Sequence, residues 1–220
     1  KGGSITRKDL FEDYKANRLE TPEAIKIAVP YIRKILEAMQ IPVIEKAGFE
    51  ADDIIGTLAK QAEKEGFQTF MVTPDKDFAQ LVSENIFMYR PARMGNGIEI
   101  WGIPEVQARF EVERPEQVID YLGMMGDAVD NIPGLPGVGK KKKKKFLKEY
   151  GSMEALLENT HELKGKMKER VEANKELGLL SKELAKIILD VPVTFHEDSY
   201  KLSDPNFEEV QPIFDELDFR

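Results

Sequence analysis

Thr69-Phe70-Met71-Val72 runs directly into Thr73-Pro74-Asp75-Lys76-Asp77. An unbroken apolar or β-branched run of this length reads as a buried strand, and the Pro-Asp turn behind it ends the strand and opens a short helix, expected near Lys76 to Val82. Ile86 to Tyr89 supplies the next strand. Upstream, a helix from about Ala51 to Glu65 turns Ile54, Ile55, Leu58 and Ala62 inward and stops at Gly66. Pro42-Val43-Ile44 before it reads as another short buried strand. Strand–helix–strand–helix order predicts an α/β fold, with a mostly parallel sheet flanked by helices.

In open parallel sheets, ligands bind beyond the carboxyl ends of the strands. Glu50, Asp52 and Asp53 follow the first of these strands across one short loop, and Asp75 and Asp77 follow the second directly. A third pair, Asp127 and Asp130, shares one face if its turn is helical. Each pair alone could serve only as a helix cap. If all three converge, the pocket is too negative to stand empty, since two charges 4 Å apart cost roughly 4 kcal/mol at an effective dielectric near 20. Hard oxygen donors favour Mg²⁺ or Mn²⁺, and several carboxylates can hold two such ions for phosphoryl transfer.

The remaining pattern is more helical. The chain starts loop-like at Gly2-Gly3, with a short helix expected around Lys8 to Tyr14. Thr21-Pro22 reads as a helix N-cap with proline at the first position, followed by an apolar stripe of Ile25, Val29, Ile32, Ile35, Leu36 and Met39. Beyond Trp101, helical stretches are expected near Pro104–Phe110, Pro115–Leu122, Phe146–Tyr150, Met153–Leu157, Glu162–Ala173, Lys182–Leu189 and Asp204–Leu217. The organisation this gives is an α/β core over residues 1–110 with a basic segment at 1–20, then a mainly helical region over 111–220.

Composition narrows the chemistry. The 220 residues contain no cysteine and two histidines, His161 and His196, which removes disulfides, thiolate metal sites and cysteine nucleophiles and disfavours a histidine-based triad. No run approaches the ~20 apolar residues that cross a bilayer, so a soluble cytoplasmic protein is expected. The net charge is −8, but Lys1, Arg7, Lys8, Lys15 and Arg18 cluster at one end, and lysine fills seven of the nine positions from Lys140 to Lys148. Six consecutive lysines cover every side of a helix and repel at i, i+4. They make either a solvated charge run or a salt-sensitive phosphate patch. Gly134-Leu135-Pro136-Gly137-Val138-Gly139 before them is either a plain turn or a place where backbone N–H groups meet a phosphate.

Tyr14-Lys15-Ala16-Asn17-Arg18, Gly48-Phe49-Glu50-Ala51-Asp52-Asp53, Thr73-Pro74-Asp75-Lys76-Asp77 and Gly126-Asp127-Ala128-Val129-Asp130-Asn131-Ile132-Pro133-Gly134 stand in this order, with Gly137-Val138-Gly139 behind them. Together they resemble the 5′-nuclease domain of bacterial DNA polymerase I, within the flap endonuclease superfamily, over essentially the whole chain. The resemblance implies a PIN-like core, a C-terminal helix–three-turn–helix region, and cleavage of DNA carrying 5′ flaps, nicks or RNA primers, by a monomer joined to polymerase domains. It implies that Glu50, Asp52, Asp53, Asp75, Asp77, Asp127 and Asp130 hold two metal ions. Lys15 and Arg18, on an arch, would stabilise charge at the scissile phosphate. Tyr14 would stack on a base or pack, and Arg7, Gly137, Gly139, Lys140 and Lys141 would join the DNA contacts, with a place for K⁺ at the Gly137–Gly139 turn. Members of the family open on a strand bearing a metal-binding aspartate, which gives the expectation of a core lacking its first strand. The alternative reading is a catalytically impaired fragment that only binds DNA. Lys142 and Lys143 occupy positions where the family carries threonine and alanine, a change expected to loosen the duplex grip.

Overall fold

The computed structural model describes residues 4–91 and 97–219, so Lys1 and the Gly2-Gly3 start lie outside the described residues. Three strands form one sheet: β1 (Thr69–Val72), β2 (Ile86–Pro91) and β3 (Ile98–Trp101), in that spatial order. β1 and β2 pair in parallel with Met71 opposite Met88. β3, which the sequence pattern did not reveal, closes the other side antiparallel with Trp101 opposite Met88. Met71, Met88 and Trp101 are all buried, so the pleat turns one row of side chains into the core.

The parallel pair needs a crossover, and a 3₁₀ helix, Lys76–Leu81, lies within it. Its N-cap is Asp75, whose carboxylate accepts the Asp77 N–H at 3.0 Å. Phe78, Ala79 and Leu81 bury behind it, which fixes Asp77 at the rim of the core. α3 (Ala51–Lys64) covers the sheet and ends before Gly66, a residue at φ +87°. Ile54 and Ala62 bury as expected, whereas Ile55 turns outward and is 39% exposed.

Pro42-Val43-Ile44 is not a strand. These residues are exposed, and no strand among the described residues pairs with them. An apolar triplet becomes a strand only where a ladder is available, so the acids after Gly48 are positioned by the start of α3 instead. Other boundaries also move. The first helix, α1, spans Ile5–Leu10 and is followed by turns, and α2 spans Glu23–Ala38 with Pro22, not Thr21, in the cap position. The α2 stripe is largely uncovered: Ile25, Val29 and Ile32 each lie about half exposed.

Downstream the chain folds as helices α4 (Ile103–Phe110), α5 (Val118–Met125), α6 (Lys140–Tyr150), α7 (Met153–Glu158), α8 (Lys166–Ala173), α9 (Lys175–Ala185) and α10 (Phe207–Glu216). α9 stands a full two turns ahead of the expected Lys182 start, and α6 takes in the entire lysine run. α5 packs along α9 so closely that a Cβ at Gly123 would stand 2.6 Å from the Lys182 Cα. Lys182 then reaches Asp120 and Glu154, both at 2.6 Å, and Asp120 also accepts the Met153 N–H. One core runs from Met71 and Phe78 through Val118 and Met124 to Met153 and Leu184, joining sheet and helices.

Candidate functional site

Four pieces of chain meet beyond the carboxyl end of β1: the turns after α1, the start of α3, the β1 turn and the loop after α5. That last loop is held tightly. Asp127 and Ile132 form a two-way backbone bridge, with N···O distances of 2.9 and 2.7 Å. Gly126 and Gly134, at φ +69° and +72°, pass so close that a Cβ on Gly134 would lie 2.7 Å from the Gly126 nitrogen. No side chain fits there. Asp127 and Asp130 therefore project from a bridged turn, not from a helical one.

The loop is also where the turns after α1 dock. The Lys15 N–H donates to the Asp130 carbonyl at 3.0 Å. Asn17 Nδ2 donates to the Ala128 carbonyl, and Asn131 Nδ2 donates to that of Asp13. The two asparagines went unremarked in the sequence because their value lies in backbone acceptors more than 100 residues distant. Docking brings cations to the acids. Lys15 Nζ sits 2.7 Å from Glu50 Oε1 and 3.5 Å from Asp130, and Arg18 Nη2 sits 2.5 Å from Asp130. Tyr14, 3% exposed, packs in the core and donates its hydroxyl to Glu50 at 3.1 Å. Lys76, between two of the predicted acids, reaches Asp127 at 2.9 Å and Asp77 at 3.6 Å.

Two of the predicted residues belong to the interior. Arg7 is 4% exposed and its guanidinium spans both Asp53 oxygens at 2.9 and 2.8 Å, while also donating to the Leu184 and Lys186 carbonyls. Asp53 is fully buried and also accepts the N–H groups of Glu50 and Ile188. Every Asp53 lone pair that could face a metal is used, and with a fifth contact, Nη1 to Glu50 at 3.5 Å, Arg7 has no donor left for a phosphate. The expected metal role for Asp53 and DNA role for Arg7 are replaced by a clamp. It fastens α1, α3 and the segment after α9 together.

Asp52 and Asp75 make no ion pair among the described residues, and Asp77 has only Lys76, at 3.6 Å. Burial first, then Asp75 and Glu50, push the Asp52 carboxyl up to about 6. Burial and then Asp75, with further repulsion from Asp127 and Asp130, push Asp77 up to about 7. Asp75 thus acts on both Asp52 and Asp77, and Asp127 and Asp130 act on Asp77, while Asp53 stands apart in its clamp. Asp77 Oδ1 is buried with no hydrogen-bond partner. Asp127 differs: burial would raise it, but Lys76 and the backbone N–H groups of Val129 and Asp130 outweigh that and hold it below the ordinary range.

Among the described residues no group of three acidic or histidine side chains is arranged to hold one metal ion. Donor chemistry nevertheless fits a hard divalent cation: all-oxygen, over-negative, with one buried oxygen unsatisfied. The lysines now stand among those oxygens.

The glycine turn divides in function. Gly137, at φ +72°, gives its carbonyl to Arg170 at 3.0 Å, and a guanidinium there works against a K⁺ ion. Gly139 caps α6 with open space around its Cα, and Lys140 and Lys141 are exposed beside it.

No helix among the described residues is long and apolar enough to cross a membrane. Two family models match, the 5′-3′ exonuclease N-terminal resolvase-like domain over residues 1–111 and the 5′-3′ exonuclease C-terminal SAM fold over residues 113–208. DNA polymerase I of Bacillus subtilis (strain 168) is 41% identical over 219 residues, 99% of this chain and 25% of that protein. The chain spans about a quarter of the length of such DNA polymerase I relatives. The 5′-3′ exonuclease of Aquifex aeolicus (strain VF5) is 36% identical, over 97% of this chain and 71% of that one. In fold, the chain resembles the T5 5′-exonuclease with divalent metal ions (zinc) bound, with a TM-score of 0.72 at 20% identity, covering 98% of this chain and 81% of that one. It also resembles the catalytic core of Rad2 in complex with DNA substrate, with a TM-score of 0.63 at 15% identity, covering 98% and 72%. The sheet, the bridged Asp127–Ile132 turn and the converging acids are thus those of a chain that belongs to the 5′-3′ exonuclease family.

Proposed function

We propose that this chain hydrolyses DNA from 5′ ends and 5′ flaps, as part of a longer DNA polymerase I, with Mg²⁺ or Mn²⁺ at the acid cluster. The observation that carries the reading is the convergence of Asp52, Asp75 and Asp77: burial and then the charge of Asp75 force the Asp52 and Asp77 carboxyls upward. These three would hold the metal, joined by Asp127 and Asp130 and by Glu50 once Lys76, Lys15 and Arg18 withdraw. When bound, the ions would activate water and stabilise the departing oxygen of an in-line displacement.

The chain's own residues set up that event. Gly126 and Gly134 hold Asp127 and Asp130 on a rigid turn. Asp75 caps the 3₁₀ helix and so fixes the direction of Asp77. Lys15 and Arg18, hinged on loop turns with Lys15 at φ +57°, are placed to exchange a carboxylate for a scissile phosphate, where a cation stabilises developing charge. Glu50 keeps Lys15 and Tyr14 gathered at the mouth of the site.

The test is cleavage of a 5′-labelled flap duplex with Mg²⁺ and with EDTA. Short 5′ products that appear with Mg²⁺ and vanish with EDTA are expected. Retained DNA binding without any product would replace the nuclease with a DNA-binding module. That second outcome has its own motive: among the described residues no three acids are already arranged around one metal position.

A further inference from the structure

Lys76 also borders a cavity of about 330 Å³, lined by Lys76, Arg109, Phe110, Tyr121, Met125 and Lys140. Its size is at the small end of ligand sites, roughly 300–1,000 Å³. Four separate elements build it: the 3₁₀ helix after β1, α4, α5 and the first residue of α6. Three of its six lining residues are cationic and none is acidic. Glu111, next in the chain to Phe110, is already held by Lys144, and among the described residues Lys76 alone of the three cations is paired with an acid, Asp127. Lys140 makes no ion pair with any described residue, and Arg109 lies over the Trp101 ring, its guanidinium carbon 4.5 Å from the centroid. Phe110 stands edge-on to both Tyr121 and Trp101, at centroid distances of 5.1 and 6.5 Å. That aromatic stack gives the floor a fixed shape.

We propose that this cavity is a binding site for a single phosphodiester and its sugar, from the DNA strand that leaves the acid cluster. The proposal rests on the nuclease reading for the identity of the strand. Three cationic side chains around a pocket whose lining carries no acid favour a phosphate. The half-buried faces of Tyr121 and Met125 select the apolar side of a sugar over a free inorganic ion. Lys76 gives the coupling. Lys76 lines the cavity while its ammonium reaches Asp127 at 2.9 Å, so a phosphate seated here would compete for that ammonium with the acid it neutralises. The contact is to backbone, and it carries no base preference.

The experiment measures binding of a short fluorescent single-stranded oligodeoxynucleotide in EDTA at several salt concentrations, so that no cleavage occurs. Arg109→Ala is expected to raise Kd about tenfold and to lower the salt slope by about one unit. Lys140→Gln, on an exposed helix start, should act in the same direction. Lys175→Ala, an exposed charge outside the cavity, should move Kd less than about twofold. Wild-type affinity in both Arg109→Ala and Lys140→Gln overturns the site. An equal loss in Lys175→Ala also overturns it, because general charge then explains the binding. A wild-type chain that fails to cut flap DNA with Mg²⁺, while Arg109→Ala still weakens binding, overturns the nuclease reading and leaves the phosphate site standing.

Discussion

Asp52 and Asp53 are neighbours on the first turn of α3, yet they live in opposite electrostatic worlds. Asp53 is sealed and saturated, with two guanidinium contacts and two backbone N–H groups on its oxygens. Asp52 faces Asp75 and Glu50 and is pushed up to about 6 by burial and that repulsion. The same side chain, one step of about 100° around a helix, builds structure in one direction and stored negative charge in the other. What separates them is the partner set, and Arg7 is most of it.

Removing Arg7 is the most severe way to break that contrast. Arg7→Ala leaves a fully buried carboxylate without its counter-charge, which costs roughly 3–5 kcal/mol. Urea denaturation should show a loss of that order. A loss below about 1 kcal/mol would mean that the two backbone N–H groups alone satisfy Asp53, and the two aspartates would then differ less than their surroundings suggest.

Asp77→Asn probes the other world. It removes a carboxylate that has an unsatisfied buried oxygen and acidic neighbours, so cleavage should fall roughly a hundredfold while folding stability at pH 8 rises. Single-turnover kinetics beside a denaturation curve checks both signs. A protein that is less stable and equally active would place Asp77 with Asp53 as a structural residue.

The third effect is a pH dependence. Unfolded, Asp77 gives up its proton near its ordinary 3.8, and folded, near about 7. Between those values the folded chain binds more protons, so stability falls as pH rises through the window. Asp52 adds to the fall up to about 6. With Asp77 about a fifth exposed, the sum is on the order of 2 kcal/mol after screening. In EDTA the Tm should be higher at pH 5 than at pH 8, and Asp77→Asn should flatten the difference. Asp127, held low by Lys76, works the other way but only as pH drops below about 4. Mg²⁺ should restore Tm more at pH 8 than at pH 5, because it competes with protons for the same oxygens.

The contrast also explains what could be read from the sequence. Asp75 and Asp77 were legible because strand, turn and N-cap lie within nine residues, Thr69 to Asp77, and turn chemistry is local. The shared edge of the Asp52 and Asp75 groups followed from the rule that sites form beyond strand ends, although one strand it relied on, Pro42–Ile44, is absent. Arg7 was misassigned because nothing near it in the chain announces burial. Its partners are Asp53 and two carbonyls almost 180 residues away. A basic residue in a basic segment looks free until the packing is known.

Lys143 extends the comparison to a buried cation lacking what Arg7 has. Helical spacing puts it on one face with Phe146 and Leu147, and all three are buried in α6. Lys144 reaches Glu111 and Lys145 reaches Glu149, whereas Lys143, 8% exposed, has no partner among the described residues. Burial alone pulls its ammonium below the ordinary lysine range. Its stem fills apolar space while its tip strains toward water. Lys143→Met keeps the stem and removes the charge, so it should stabilise the chain by about 1 kcal/mol in urea denaturation at pH 7. Lys142→Met, on the exposed side of the same helix, should change almost nothing. Equal gains from both would assign the effect to relief of repulsion along the lysine run, and burial without a partner would not be the cause.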